Sequence, residues 1–167
     1  MVKIIWHYGE PPKDMQVRQV YAIAFDKSGR VLLKYSQKNN KGYYGMFGGT
    51  PESFDKDRID TLKREYIEEA NTTLKEPIYL AGYQEIEGDR DLPNYAQLRM
   101  VAMIDKIGEK KPDPDNGKIH DRILTTPERA IELLHWGESG EKQIREAYRI
   151  AQEKFLIKTT KFEDESV

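Results

Sequence analysis

Three glutamates and one arginine lie close together within residues 64–69. On a helix that turns about 100° per residue, Glu65, Glu68 and Glu69 share one face, because their spacings are i, i+3 and i+4. Carboxylates this close repel one another unless a positive charge lies among them. Oxygen-rich clusters suit Mg²⁺ or Mn²⁺, which bind carboxylates together with water and substrate phosphates. The spacing therefore favours a divalent-metal site over a solvated acidic face, in which Arg64 would only pair with Glu68.

A glycine pair and an acidic connector precede this cluster. Gly48 and Gly49 interrupt the regular secondary structure. A helix is then predicted to begin after Asp57, which has the residue type of an N-cap and is followed by Asp60 three positions later. We expect the helix to end at Asn71 in the left-handed conformation, which asparagine tolerates. One stripe of this helix is apolar and is predicted to be buried: Ile59, Leu62, Tyr66, Ile67 and Ala70.

Together these residues resemble the Nudix box of the Nudix hydrolases, whose pattern is G-x5-E-x7-R-E-U-x-E-E-x-G-U. The second half matches closely from Arg64 onward, with Asn71 in place of the glycine. The first half is irregular. Counting back from Arg64 places Lys56 where the family has glutamate. Alignment on the glycine pair instead needs one extra residue in the connector, and Asp55 is then nearest to the glutamate position. The residue that replaces the first glutamate stays open, and Glu52 is a third candidate.

The resemblance implies an α/β fold, an α/β/α sandwich around a mixed central sheet. It also implies hydrolysis of a diphosphate linkage in a nucleoside diphosphate derivative, written NDP-X, with Mg²⁺ or Mn²⁺ as cofactor. Arg64 would hold a carboxylate in place, and Glu52 would supply an additional ligand or the base. The residues implied for catalysis and metal binding are Glu52, Arg64, Glu65, Glu68 and Glu69, with Gly49 at the metal.

Two groups of residues are candidates for substrate binding. Aromatic residues before the glycine pair can stack on a base or sugar, although aromatic strand residues equally often belong to a core. Gln97 and Arg99 share a strand face with Tyr95, which predicts a pocket wall, and arginines can bind phosphates or form surface ion pairs. The predicted substrate-binding set is Arg18, Tyr44, Phe47, Gln97 and Arg99, with Tyr43 beside it.

The remaining pattern predicts a single domain over residues 1–158 and a frayed polar tail over residues 159–167. A strand at 17–25 and residues 100–104 of a strand at 95–107 are apolar on both faces and need helices on both sides of the sheet. Further strands are predicted at 2–8, 31–33, 43–47, 77–87 and 119–124, polar loops at 37–42 and 110–118, and helices at 57–71, at 126–136 and from 139.

Composition excludes several classes of function. The 27 basic and 29 acidic residues give a net charge of −2, which disfavours nucleic-acid binding through charge alone. No apolar run is long enough to span a membrane, and the N-terminus lacks the pattern of a signal peptide, so we expect a cytoplasmic protein. There is no cysteine, which removes disulfides and thiolate chemistry. His120 is interpreted as a satisfied surface histidine.

Three alternatives to the hydrolysis of a small NDP-X compound follow from the resemblance. A Nudix-like module that binds a nucleotide or sugar nucleotide without cleaving it is compatible with the irregular first half. The isoprenyl diphosphate isomerases among Nudix relatives rely on a catalytic cysteine, which this chain lacks. Messenger-RNA decapping needs an RNA-binding surface that the composition does not indicate. The expected partner is a small nucleoside diphosphate derivative, and a homodimer stays open.

Overall fold

In the computed structural model, which describes residues 1–158 and 160–167, the strands form one mixed sheet with helices on both faces. The α/β class predicted from the sequence is confirmed. No helix of the described residues is both long and apolar enough to cross a membrane. The elements are β1 (Lys3–Tyr8), β2 (Gln16–Phe25), β3 (Val31–Lys38), β4 (Lys41–Gly45), β5 (Gly48–Gly49), α1 (Arg58–Ala70), β6 (Thr72–Glu87), β7 (Tyr95–Ile107), β8 (Asp121–Thr125), α2 (Pro127–Leu134), α3 (Gly137–Phe155) and β9 (Glu165–Ser166).

The centre of the sheet is a parallel pair, β2 and β7, in the strand order β1-β6-β7-β2-β3-β8-β9. Strand β4 pairs with β3, and β5 pairs with β2. Alternate residues of β2 face opposite layers: Val20 and Ala22 pack with α1, whereas Ile23 and Phe25 pack with α2 and α3. The predicted burial of β2 on both faces is therefore correct. The sheet is the middle layer of the sandwich, with α1 on one face and α2 and α3 on the other.

Helix α1 has the caps that its sequence predicts. Asp57 accepts a hydrogen bond from the backbone N–H of Asp60 at 2.9 Å, and Asn71 ends the helix with φ 44°. The buried hydroxyl of Tyr66 donates to the carbonyl oxygen of Ala22 at 2.9 Å, which fixes the helix on the sheet. The prediction was wrong for Ile67, which is 54% exposed because it lies about 100° around the helix from Tyr66.

The predicted polar loop at residues 37–42 is instead the tip of a hairpin. Strand β3 continues to Lys38, strand β4 begins at Lys41, and a two-residue turn joins them. Both turn residues, Asn39 and Asn40, have positive φ, the conformation of a type I′ turn. Asparagine tolerates this conformation, so the Asn-Asn pair was the overlooked signal.

The predicted frayed tail also differs from the structure, because Glu165–Ser166 pairs with β8. Arg30 forms an ion pair with Glu165 at 2.9 Å, so polar residues that suggested a frayed end find partners on the sheet. The predicted start of the tail, Thr159, lies outside the described residues, and the division between residues 1–158 and 159–167 stays a prediction.

Replacement of Asn71 by valine is expected to lower the free energy of unfolding by about 1–2 kcal/mol or more, since a β-branched residue resists positive φ. Asn71→Gly is the matched control. It should stay within about 1 kcal/mol of wild type, because backbone freedom offsets the lost hydrogen bond from Asn71 Nδ2 to the carbonyl oxygen of Glu109. Urea unfolding measures both, and equal stabilities for the two variants would contradict the role of the conformation.

Candidate functional site

The guanidinium of Arg64 joins the connector to the acidic face of α1. Its Nε and Nη2 donate to the two carboxylate oxygens of Asp55 at 3.1 and 3.0 Å. Its Nη1 lies 3.1 Å from a carboxylate oxygen of Glu65 and 3.1 Å from one of Glu68, and Nη2 also donates to the carbonyl oxygen of Thr50 at 3.0 Å. A planar fork of donors thus fixes three carboxylates relative to one another.

Of the three candidates for the first glutamate position, Asp55 is the one whose side chain pairs with Arg64. Its side chain is 4% exposed and also accepts hydrogen bonds from the backbone N–H of Glu52 and the hydroxyl of Thr61. The Arg64 guanidinium holds the pKa of Asp55 well below its usual range, against the opposing effect of burial. Glu52 and Lys56 are exposed, and the hydrogen bonds of Glu52 to Asp55 use only backbone groups: its N–H donates to the Asp55 carboxylate, and its carbonyl oxygen accepts from the backbone N–H of Asp55.

The three glutamates of α1 have different surroundings. Burial raises the pKa of Glu65 to about 7, and repulsion from Glu69 and Glu68 adds to the rise while Arg64 opposes it. Burial also raises the pKa of Glu68. Glu69 accepts hydrogen bonds from the Nζ of Lys34 at 2.8 Å and from the backbone N–H of Gly48 at 3.2 Å. Burial, and not mutual repulsion, is the largest cause of both raised pKa values.

The glycine pair brings the backbone against these glutamates. Gly48 has φ 150°, and a Cβ at this position would collide with the carbonyl oxygen of Val20 on β2. A Cβ at Gly49 would collide with the carboxylate of Glu65. Gly48 therefore needs glycine for the pairing of β5 with β2, whereas a side chain at position 49 would displace the carboxylate of Glu65.

A histidine and an aspartate from the loop before β8 complete the cluster. The Nε2 of His120 lies 3.9 Å from Glu69 and 3.7 Å from Asp113, and potential ligand atoms of the three residues lie within 4.8 Å of one another. Asp113 is held by a turn in which it accepts from the backbone N–H of Asp115 at 2.8 Å. The Nε2 of His120 is buried without a hydrogen-bond partner among the described residues, so the interpretation as a satisfied surface histidine was wrong.

The donor set fits a divalent cation. Carboxylate oxygens dominate, as Mg²⁺ and Mn²⁺ prefer, and the unpartnered imidazole nitrogen of His120 adds a ligand that first-row transition metals such as Mn²⁺ accept. The cation would replace the partner that His120 lacks and would reduce the repulsion that acts on Glu65. Sequence spacing alone did not identify Asp113 and His120, because the loop that carries them becomes adjacent to α1 only in the folded chain.

A cavity of about 590 Å³ lies on the α3 side of the sheet and adjoins the cluster through Lys34. Three predicted substrate-binding residues line it: Tyr44, Gln97 and Arg99. Phe47 does not, because it is fully buried beside Tyr66 in the other core. Arg18 does not line it either, and its guanidinium lies over the ring of Tyr95. Lining residues that the sequence did not single out include Tyr21, Gln84, Trp136 and Ser139.

The sequence matches no protein-family model and no curated protein. Solved structures match at low identity. A Nudix hydrolase from Nitrosomonas europaea superposes with a TM-score of 0.58 at 16% identity, over 80% of this chain and 90% of that chain. A UDP-X diphosphatase superposes with a TM-score of 0.58 at 15% identity, over 86% of this chain and 66% of that chain. A Bacillus subtilis pyrophosphohydrolase superposes with a TM-score of 0.52 at 18% identity, over 64% of this chain and 63% of that chain.

This chain spans about two thirds of the length of each of the last two proteins. Similarity at these identities establishes the architecture. The chain therefore has the Nudix fold, as the resemblance of residues 48–71 implied.

Asp55→Asn is expected to lower the free energy of unfolding by about 3 kcal/mol at about pH 7, because it removes one partner of a nearly buried ion pair. The folded pKa of Asp55 is depressed, so this stabilisation is present above the unfolded pKa of about 3.9 and is lost as the pH falls toward the folded pKa.

Urea unfolding over a pH series measures this effect, with the exposed Asp91→Asn as control. The difference between wild type and Asp55→Asn should shrink as the pH is lowered below about 4. A difference that is small near neutral pH, or that does not change with pH, would contradict the importance of this ion pair.

Proposed function

We propose that this chain is a Nudix hydrolase that cleaves a diphosphate linkage in a nucleoside diphosphate derivative with the help of a divalent cation. The observation that carries the proposal is the set of hydrogen bonds from Arg64 to Asp55, Glu65 and Glu68. These bonds supply, from an irregular connector, the carboxylate that the first half of the box lacks. Pyrophosphohydrolase and diphosphatase activities are named for two of the proteins that share the fold.

Each part of the cluster has a chemical role in this proposal. Glu69, Asp113 and His120, whose potential ligand atoms lie within 4.8 Å of one another, would hold Mg²⁺ or Mn²⁺, and Glu65 and Glu68 are the further ligands that the resemblance implies. A bound cation supplies charge neutralisation on the diphosphate and lowers the pKa of a bound water. A glutamate of the cluster accepts the proton of the attacking water. Arg64 keeps the carboxylates in position, because its donors occupy the oxygen atoms that face the connector.

The adjoining cavity supports a substrate larger than a diphosphate alone. Tyr43 and Tyr44 present aromatic surface for a base or sugar, and the amide of Gln97 presents donors and acceptors. A volume of about 590 Å³ is within the range of small-molecule sites. The cavity therefore suits the nucleoside or the group X, while the diphosphate lies at the glutamates.

One observation favours the second candidate, a nucleotide-binding module without turnover. Lys34 already places a positive charge 2.8 Å from Glu69, and its side chain is only 19% exposed. An internal ammonium group of this kind satisfies Glu69 without a metal. In the hydrolase, the cation has to compete with Lys34 for the same carboxylate. In the binding module, Lys34 keeps Glu69 and the cluster binds phosphate weakly or not at all.

Glu69→Gln should reduce kcat by about 10²–10³-fold, because it removes one preorganised charge from the transition-state environment. The assay is a screen for phosphate release with Mg²⁺ or Mn²⁺ over dinucleoside polyphosphates, nucleotide sugars, ADP-ribose and oxidised nucleoside triphosphates. Glu52→Gln is the matched control and should have a mild effect, since Glu52 is exposed. A wild type that cleaves none of these compounds, but melts at a higher temperature with one of them, would support the binding module instead.

Lys34→Met should strengthen Mn²⁺ binding severalfold in the hydrolase, because the cation no longer has to displace an ion pair worth about 1 kcal/mol. Isothermal titration calorimetry measures the affinity. Lys38→Met, an exposed lysine on the same strand, is the control and should leave the affinity unchanged. Unchanged or weaker Mn²⁺ binding in Lys34→Met would contradict a cation at Glu69.

A further inference from the structure

Arg99 carries a positive charge in the protein interior without a carboxylate beside it. The residue is 4% exposed, and its three hydrogen bonds go to neutral acceptors. Nε donates to the side-chain oxygen of Gln143 at 3.0 Å, Nη1 to the carbonyl oxygen of Leu98 at 3.3 Å, and Nη2 to the side-chain oxygen of Gln84 at 2.6 Å. Within the described part of the chain, no acidic group forms an ion pair with it.

A buried charge without a counter-charge destabilises the free protein. Burial accordingly lowers the pKa of Arg99 to about 10 from its ordinary value of 12.5. Aromatic rings offset part of this cost: the guanidinium carbon lies 4.9 Å from the ring centre of Tyr21 and 5.6 Å from that of Trp136. A counter-charge that arrives with a ligand would remove the rest.

The guanidinium has donors left for such a ligand. It carries five N–H groups, of which the three hydrogen bonds use three, so two remain. Arg99 lines the cavity together with Gln84, Gln97 and Ser139. Gln143 is itself held by a hydrogen bond from its Nε2 to Ser139 Oγ at 3.0 Å, which keeps the guanidinium in a fixed orientation.

The cavity connects Arg99 to the glutamate cluster. Tyr21 links them: the guanidinium of Arg99 lies over its ring, and its backbone pairs with Gly48, whose N–H donates to Glu69. Lys34 lines the same cavity and pairs with Glu69. A substrate whose diphosphate lies at the glutamates would therefore extend into the cavity toward Arg99.

We propose that the cavity binds an oxyanion, a carboxylate or a phosphate at the far end of the substrate, and that Arg99 determines this specificity. Two N–H groups on one guanidinium match the two oxygens of a carboxylate or phosphate. The proposed function is used only to place the diphosphate, since binding of the oxyanion does not need turnover. The group X or the nucleoside thus carries an acidic group.

Two matched pairs of probes test this proposal. UDP-glucuronate and UDP-glucose differ by a carboxylate, and NADP and NAD differ by a phosphate, so the pairs separate the two sources of an oxyanion. Calorimetry in the presence of Ca²⁺, a divalent cation that binds carboxylate and phosphate oxygens, gives the affinities. The readout is binding and not turnover, so a protein without hydrolase activity yields it as well. The variants are Arg99→Met, Arg99→Lys and the control Arg18→Met, which does not line the cavity.

In wild type and Arg18→Met, the probe with the additional acidic group should bind about tenfold or more tightly than its partner without that group in at least one pair, as expected for a charge-assisted hydrogen-bonded pair. Arg99→Met should reduce this ratio to near one and leave the affinity for the partner without the additional group unchanged. Melting temperatures verify the fold. If Arg99→Met does not fold, Arg99→Lys decides: it should keep the preference but weaken it, because the charge remains and the fork is lost.

Three results would overturn the proposal: a ratio near one for both pairs in wild type, a ratio that Arg99→Met or Arg99→Lys leaves unchanged, or no binding of any of the four probes. Its failure is distinguishable from failure of the proposed function. Hydrolysis without an anion preference rejects only the role of Arg99. An anion preference without hydrolysis rejects only the enzyme.

Discussion

The hydrogen bonds of one guanidinium determine how this site is built. Arg64 can contact Asp55, Glu65 and Glu68 together only if the connector places Asp55 beside the first turns of α1, within reach of the guanidinium. Aspartate is one methylene shorter than glutamate, and the connector has one more residue than the Nudix pattern. The additional backbone and the shorter side chain offset each other, so the carboxylate still reaches the guanidinium. Bonds from the Glu52 backbone and the Thr61 hydroxyl then hold Asp55 in that place.

The same cluster concentrates negative charge beyond what its own cations balance. Five carboxylates meet there, and the cationic partners among the described residues are Arg64 and Lys34. Arg64 is shared by three of the carboxylates, so each receives part of one charge. Burial makes the charged forms of Glu65 and Glu68 less favourable and raises their pKa values. A cluster in this state gains most from a ligand of concentrated positive charge. The carboxylates taking part are Asp55, Glu65, Glu68, Glu69 and Asp113.

The sequence predicts what depends on local spacing. Helical periodicity and capping residues placed α1 and its acidic face, and Asn71 ends the helix as expected. Contacts between distant segments could not be predicted in this way. His120 lies 51 residues after Glu69, and only the return of β8 to the edge of β3 brings the two together. Phe47 and Tyr44 look equivalent in the sequence, yet one lies in the core and the other in the cavity.

Lys34 and Arg99, two cations of the central sheet, differ in whether a carboxylate already balances their charge. Both are cations that line the cavity, but Lys34 has a carboxylate partner in Glu69 and Arg99 has only neutral ones. A lysine that is already paired is neutralised in the free protein and can change partner when a phosphate or metal arrives. An arginine between two rings and two amides cannot move to a carboxylate, so its counter-charge has to come to it. In the proposed enzyme, the residues of α1 would therefore provide the hydrolytic chemistry, whereas selection among substrates would fall to Arg99 on β7 and the residues that hold it in place.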